Sequence, residues 1–162
     1  MNPPPPPTTP AQDKTAQPPA PKPLFVWSWR LQADKGAGPN ARLRARTRLT
    51  MAHWRGDIEV ASRIASLIVD NAVEHGTPYT DDRIILRMEV MDETRDLHIY
   101  ADDADPHFHN FVEAGEGYAA TESGLWWVTR LGGRVSWHVK QDDGTVLGKT
   151  VQVIVPTEGS RA

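Results

Sequence analysis

Hydrophobic and polar positions alternate in the part of the chain that follows a proline-rich N-terminal segment. Between Leu24 and Leu31, large apolar residues occupy every second position: Phe25, Trp27 and Trp29. This period of two predicts a β-strand, because successive side chains of a strand point to opposite faces of a sheet. Residues 34–40 are then expected to form a turn.

A helical period replaces this alternation from Ala41 onward. Residues 41–54 contain neither Pro nor Gly, and they predict a first helix because four residues recur at helical spacing: Leu43, Thr47, Met51 and Trp54. A second helix is expected after Asp57, which can cap it, because apolar residues then recur on one face: Ile58, Ala61, Ile64, Ala65, Ile68 and Ala72. Gly76 and Pro78 are expected to end this helix.

Two hairpins account for most of the remaining pattern. Arg83–Met91 and Asp96–Ala101 are extended runs joined by a short polar segment, and they are typical of paired strands. Arg134–Lys140 and Lys149–Val155 alternate in the same way on either side of a polar segment. We therefore expect four strands in addition to the first one.

A long segment without a sustained period separates the two hairpins. Residues 102–121 are expected to form a loop, and Glu122–Leu131 a short helix that two glycines stop. The resulting order is β-α-α-β-β-loop-α-β-β. It predicts an α+β two-layer sandwich, with a mostly antiparallel sheet that carries the helices on one face.

The composition separates this domain from its ends. Residues 1–23 consist largely of Pro, Thr, Ala and Gln, so they are expected to be a disordered tail that cannot bury enough apolar surface to fold. The domain is expected over residues 24–156, followed by a short C-terminal tail at 157–162. No apolar stretch is long enough to span a bilayer and no leader is evident, which predicts a cytoplasmic protein without membrane contact.

The charge and the cysteine count exclude several kinds of function. The chain contains no cysteine, which excludes disulfide frameworks, thiolate metal sites and thiol enzymes. Its net charge of -3 is unlike that of nucleic-acid-binding proteins, which are usually basic. We therefore expect no direct contact with nucleic acid.

The end of the second predicted helix carries the most specific motif. Asn71 lies on the stripe that otherwise faces the core, so its amide needs a ligand, a metal, a water or a neighbouring loop as partner. The segment from Leu67 to Gly76 (LIVDNAVEHG) resembles the N-box of the GHKL ATPases, especially in their anti-sigma serine-kinase branch. The resemblance implies that Asn71 coordinates nucleotide-bound magnesium. His75 matches the family's helix end, where it either contacts phosphate or only caps the helix.

A strand that ends in acidic residues resembles the approach to the G1 box of the same family. Asp103 matches the acid that accepts a hydrogen bond from the adenine amino group in that family, and Asp102 is the alternative match. The glycines that usually follow are replaced by Ala, Asp, Pro and His at residues 104–107. Glycine permits a close approach of the backbone to a ligand, and this segment lacks it.

Two more positions continue the resemblance. Gly124 and Leu125 match the G2 box, a turn that opens a helix whose N–H groups face phosphate, although Glu122 replaces the first glycine. Thr150 matches the threonine that supports the adenine site, which implies a hydroxyl partner for Asp103 and the base. As an ordinary strand residue, Thr150 would have no such role.

The resemblance covers about residues 24–156 and implies a Bergerat-type fold. It implies binding of ATP or ADP with Mg²⁺ through a set of six residues: Asn71, His75, Asp103, Gly124, Leu125 and Thr150. The family's general base is a Glu one helical turn before the Asn, and Leu67 in that place cannot accept a proton. The implied function is therefore a nucleotide-binding regulator with degenerate catalytic motifs.

The implied partner is a protein, either a sigma factor or an anti-anti-sigma protein, which would make the chain a regulator of transcription. Homodimerisation is also open. A module that has lost nucleotide and an active serine-protein kinase are the alternatives. Five arginines on or beside the first helix offer either a solvated face or a surface for an acidic partner: Arg42, Arg44, Arg46, Arg48 and Arg55.

A histidine-rich segment suggests another class of function. The ligand types for zinc, iron or manganese are present in six residues: His98, His107, His109, Asp102, Asp103 and Asp105. A hydrolytic enzyme would depend on this cluster alone, and solvated loop residues are the simpler interpretation.

Overall fold

The computed structural model describes residues 19–108 and 124–157. Within them it contains five strands and three helices, in the order β1 (Pro23–Gln32), α1 (Ala37–Met51), α2 (Ile58–His75), β2 (Arg83–Met91), β3 (Leu97–Asp103), α3 (Gly124–Arg130), β4 (Arg134–Asp142) and β5 (Thr145–Val155). Most of the predicted N-terminal tail, most of the predicted long loop and nearly all of the predicted C-terminal tail lie outside the described residues.

The strands form one sheet in the order β1-β2-β3-β5-β4, and all four pairings are antiparallel. Every second residue of β2 is buried in a core shared with the helices: Ile84, Leu86, Met88 and Val90. The residues between them are only half-buried. This alternation distinguishes a helix-facing side of the sheet from an outer side, and it confirms the predicted α+β sandwich.

The second helix has the predicted start and the predicted buried face. Asp57 caps it by accepting a hydrogen bond from the Val60 backbone N–H at 3.0 Å. Its predicted apolar positions are largely buried, with Ile64 and Ile68 fully inaccessible to solvent. The prediction of this helix agrees with the structure because it depended on two local features, a side-chain cap and a single apolar stripe.

The first helix begins four residues earlier than predicted and buries a different face. The prediction of a turn over residues 34–40 is wrong for its second half, because α1 begins at Ala37. Leu43 and Met51 are 64% and 66% exposed, and the buried residues are small ones together with one leucine: Ala37, Gly38, Ala41, Ala45 and Leu49. Small side chains let α1 approach α2 closely, and a Cβ at Gly38 would overlap the carboxylate of Asp70.

The last hairpin is longer than predicted. Its turn consists of Asp143 and Gly144, which have φ of 46° and 78°. Two successive residues with positive φ form the tight two-residue turn that matches the twist of paired strands. Because the turn needs only these two residues, β4 and β5 include the other residues of the segment 141–148, which was predicted to be a loop. β3 also runs two residues further than predicted, to Asp103, and so both acidic residues lie within the sheet.

The domain boundaries differ from the predicted ones by one residue at each end. Pro23 already belongs to β1, and the backbone N–H of Thr157 donates to Asp96 Oδ1 at 3.2 Å, so Thr157 packs on the domain. Among the helices that the structure describes, none combines the length and the hydrophobicity needed to cross a membrane.

Candidate functional site

Asp102 and Asp103 end β3 on opposite sides of the sheet. Asp103 continues the helix-facing series of Leu97, Ile99 and Ala101, whereas Asp102 continues the outer series. Both carboxylates are fully buried, with side-chain exposures of 0%. Two acidic residues that are adjacent in sequence therefore have separate partners and separate environments.

Asp103 lies beside the C-terminal end of α2. Its Oδ1 accepts hydrogen bonds from Lys149 Nζ at 3.0 Å and from the backbone N–H groups of Asp105 and Thr77 at 2.8 and 3.4 Å. Its Oδ2 is buried and has no hydrogen-bond partner in the described part of the chain. Burial raises the pKa of Asp103, although the bonds to Oδ1 act in the opposite direction. One buried acceptor of this carboxylate is thus left without a donor among the described residues.

Two glycines bring backbone segments against Asp103. A Cβ at Gly76, directly after α2, would lie 2.6 Å from Cγ and Oδ2 of Asp103. The φ of Gly76 is -92°, which any residue can adopt, so the close approach and not backbone conformation explains the glycine. Gly148 on β5 has a φ of 142°, and a Cβ there would overlap the carbonyl oxygen of Asp103.

Lys149 is the buried counter-ion of Asp103, and the sequence analysis did not identify it. Its side chain is 4% exposed, and Nζ also donates to the carbonyl oxygen of Asp105 at 3.2 Å. The same Nζ lies 5.6 Å from the centroid of the Phe108 ring. A lysine in a hairpin strand is usually solvent-exposed. The available signal was its alternation with Val151, which places position 149 on the helix-facing side.

The helix α2 connects Asp103 to other residues of the predicted site. Gly124 begins α3 against α2, where its Cβ position lies 3.3 Å from the carbonyl oxygen of Leu67. Asn71, one turn further along α2, is half-buried. The stretch of α2 from Leu67 to Gly76 is about 14 Å long at 1.5 Å per residue. Asn71 therefore lies between the contacts of α2 with Gly124 and with Asp103.

His75 and Leu125 are placed differently from these residues. The His75 side chain is 73% exposed, and its Nε2 lies 3.8 Å from an oxygen of Glu74. Leu125 is 1% exposed within the hydrophobic core, where it holds α3 on the domain. The side chain of Leu125 therefore supports the site by packing, whereas the contact of the exposed His75 is with its neighbour Glu74 and assigns it no role in the site.

Thr150 does not face Asp103, and the expectation that it is a hydroxyl partner of Asp103 is wrong. The strand register pairs Thr150 with Asp102, and directly paired residues share one side of a sheet. Thr150 Oγ1 donates to Asp102 Oδ1 at 2.7 Å, and Lys140 Nζ donates to Oδ2 at 2.9 Å. Arg87 adds a second positive charge 3.6 Å from Oδ2. Both oxygens of Asp102 are thus used within the protein.

The segment rich in His and Asp does not assemble into a metal site in the residues that the structure describes, where no three such side chains are suitably placed to hold an ion. His98 lies on the outer side of the sheet, with Nδ1 3.4 Å from the Tyr100 hydroxyl and 3.3 Å from Gln152 Nε2. Burial lowers the pKa of His98. His109 lies outside the described residues.

No protein-family model matches the chain, and no curated protein matches it.

Proposed function

We propose that the protein binds an adenine nucleotide with Mg²⁺ between α2 and the helix-facing side of the sheet, and that it regulates a protein partner by binding it. The observation that supports this most strongly is the buried Oδ2 of Asp103 beside Gly76, which no donor in residues 19–108 and 124–157 reaches. An adenine amino group supplies such a donor, and leaving a buried acceptor without one costs about 1–3 kcal/mol.

Asn71 has the chemistry that the metal requires. An amide oxygen is a hard ligand suited to Mg²⁺, which takes most of its other ligands from phosphate and water. A single protein ligand on α2, the Asn71 amide oxygen, is therefore enough for such a magnesium site. When bound, the ion would neutralise phosphate charge. Asn71 would hold it at a point between the contacts of α2 with Gly124 and with Asp103.

The exposed side of α1 supports a role in binding a protein. Leu43 and Met51 project into solvent, and arginines surround them along the helix. Arg42 and Arg46 share one counter-ion, Glu59. An apolar centre with a positive rim suits an acidic amphipathic segment of a partner protein. A sigma factor or its antagonist is the partner that the motif resemblance suggests.

A nucleotide-free interaction module is the second candidate function, and Lys149 is the observation that favours it. Its ammonium already compensates Asp103 from within the protein. Asp105, next to this pair, would add negative charge near a bound polyphosphate, which opposes binding. The two candidates make opposite predictions about nucleotide.

A thermal-shift experiment with magnesium-ATP separates them. Binding to the folded state alone stabilises a protein by about 2.7 kcal/mol at a ligand concentration 100 times Kd. We expect the melting temperature to rise once the nucleotide concentration exceeds Kd, and to keep rising by a similar increment for each further tenfold increase in nucleotide. No shift and no calorimetric heat at millimolar nucleotide would favour the nucleotide-free module.

Asp103→Asn is predicted to weaken ATP binding about tenfold or more, because the amide oxygen will turn toward Lys149 and leave an NH₂ donor facing the adenine amino group. Asp102→Asn is the matched control on the outer side of the sheet, and its affinity should stay within about twofold of wild type. Isothermal titration of both variants, after thermal melts confirm folding, measures the difference. A larger loss in the Asp102 variant would instead assign the adenine contact to that residue.

A further inference from the structure

Asp103 and Lys149 present an unused acceptor and an unused donor side by side. Oδ2 of Asp103 has no partner among the described residues. A lysine ammonium carries three N–H donors, and Lys149 uses one on Asp103 Oδ1 and one on the carbonyl oxygen of Asp105. In residues 19–108 and 124–157, no further oxygen or nitrogen atom accepts the third, and Nζ also lies over the face of the Phe108 ring. Because Nζ is bonded to Oδ1 of the same carboxylate, Nζ and Oδ2 lie close together, at the separation of neighbouring polar atoms on one ligand.

Asp102 and Lys140 form a second ion pair at the same end of the sheet, on its outer side. This outer pair shows what a purely structural arrangement looks like. There, Thr150 satisfies one oxygen of Asp102 and Lys140 satisfies the other. Lys140 also remains accessible to solvent, with 32% of its side chain exposed, whereas Lys149 is 4% exposed. Within residues 19–108 and 124–157, by contrast, the ion pair of Asp103 leaves the second carboxylate oxygen without a donor.

We propose that Lys149 determines base specificity together with Asp103. Asp103 Oδ2 accepts from the exocyclic amino group of the base, and Lys149 Nζ donates to the ring nitrogen next to that amino group. The inference rests on the proposed nucleotide function and extends it to a lysine for which the motifs assign no role.

Adenine has the complementary edge. Its amino group is a donor, and the ring nitrogens N1 and N7 on either side of the amino-bearing part of the ring are acceptors. Guanine and hypoxanthine carry an oxo group in place of that amino group, so an acceptor of the base would face the acceptor of Asp103. The adjacent Phe108 ring, 5.6 Å from Nζ and 5.7 Å from the Trp137 ring, adds apolar surroundings in which hydrogen bonds are stronger than in water.

Deaza nucleotides test this contact without changing the protein. Calorimetric titration of the full chain with ADP, 1-deaza-ADP and 7-deaza-ADP, each with Mg²⁺, compares ligands in which one ring nitrogen becomes C–H. We expect the analogue that lacks the contacted nitrogen to bind about 10- to 100-fold more weakly than ADP, since the bond involves a charged donor. Equal affinity for all three ligands overturns the proposal.

Lys149→Met and Lys140→Met complete the experiment. In Lys149→Met, ADP should bind about as weakly as the poorer analogue binds to wild type, and the three ligands should no longer differ. Lys140→Met, which removes the lysine of the outer pair, should retain the wild-type discrimination. Discrimination that persists in Lys149→Met overturns the role of Lys149.

The outcomes also separate this inference from the proposed function. If wild type binds no adenine nucleotide, the proposed function fails and the inference fails with it. If wild type binds ADP and both analogues equally, the inference alone fails. Circular dichroism shows whether Lys149→Met folds, and if it does not, the comparison of ligands on wild type still decides.

Discussion

Wild-type protein is expected to bind magnesium-ATP without appreciable hydrolysis or phosphotransfer, whereas Leu67→Glu is expected to gain turnover. A positioned general base contributes about 10²–10⁴-fold to a rate, and Leu67 supplies none one turn before Asn71. The neighbouring carboxylates do not replace it. Asp70 lies against Gly38 of α1, and Glu74 is exposed with a side-chain accessibility of 70%.

Phosphate release and serine phosphotransfer by wild type, Leu67→Glu and Leu67→Gln measure this effect. The glutamine variant is the matched control, because it perturbs the half-buried position in nearly the same way as Glu but cannot act as a base at neutral pH. Activity in the Glu variant and in neither of the others would support the prediction. Robust turnover by wild type would contradict it and would favour the active-kinase alternative.

Gly148→Ala is expected to destabilise the protein by about 3 kcal/mol or more. The backbone at Gly148 has a φ of 142°, which side chains rarely tolerate, and an added Cβ would overlap the carbonyl oxygen of Asp103. It would also lie 2.8 Å from the Cα of Ala104, so a backbone segment must move. Because this movement displaces Asp103, nucleotide binding should fall together with stability.

Gly144→Ala is the control for backbone strain without a clash. Gly144 also has a positive φ, 78°, but nothing lies within 4 Å of its Cβ position. Its replacement should therefore cost only about 1–2 kcal/mol. Urea denaturation of the two variants separates conformational strain from the close contact, and similar losses in both would show that Asp103 tolerates a side chain at position 148.

Elements defined by local signals were predictable from the sequence. The cap at Asp57, the apolar stripe of α2 and the alternation in β2 each depend on residues within a few positions of one another. Gly124 and Asn71 were identified through motif spacing. The structure places Gly124 beside α2 and Asn71 within it. Their roles toward nucleotide remain predictions.

The buried face of α1 was not predictable in the same way. Leu43 and Met51 form a hydrophobic series at helical spacing, yet the alanine series packs against α2. Which series faces inward depends on how closely two helices approach, and that distance is a property of the assembled layers. Leu43 and Met51 support the binding of a partner only because the structure shows that they lie on the surface and outside the hydrophobic core.

The fold class, the helix that carries Asn71 and two adjacent acidic residues at a strand end could all be inferred from the sequence alone. Which acidic residue faces the helices depends on the assembled sheet, because a shift of one residue in strand register moves every side chain to the other side of the sheet. The register paired Asp103 with Lys149 and Asp102 with Thr150. The chemistry of the site thus depends on a pairing between strands more than 40 residues apart, which no local pattern encodes.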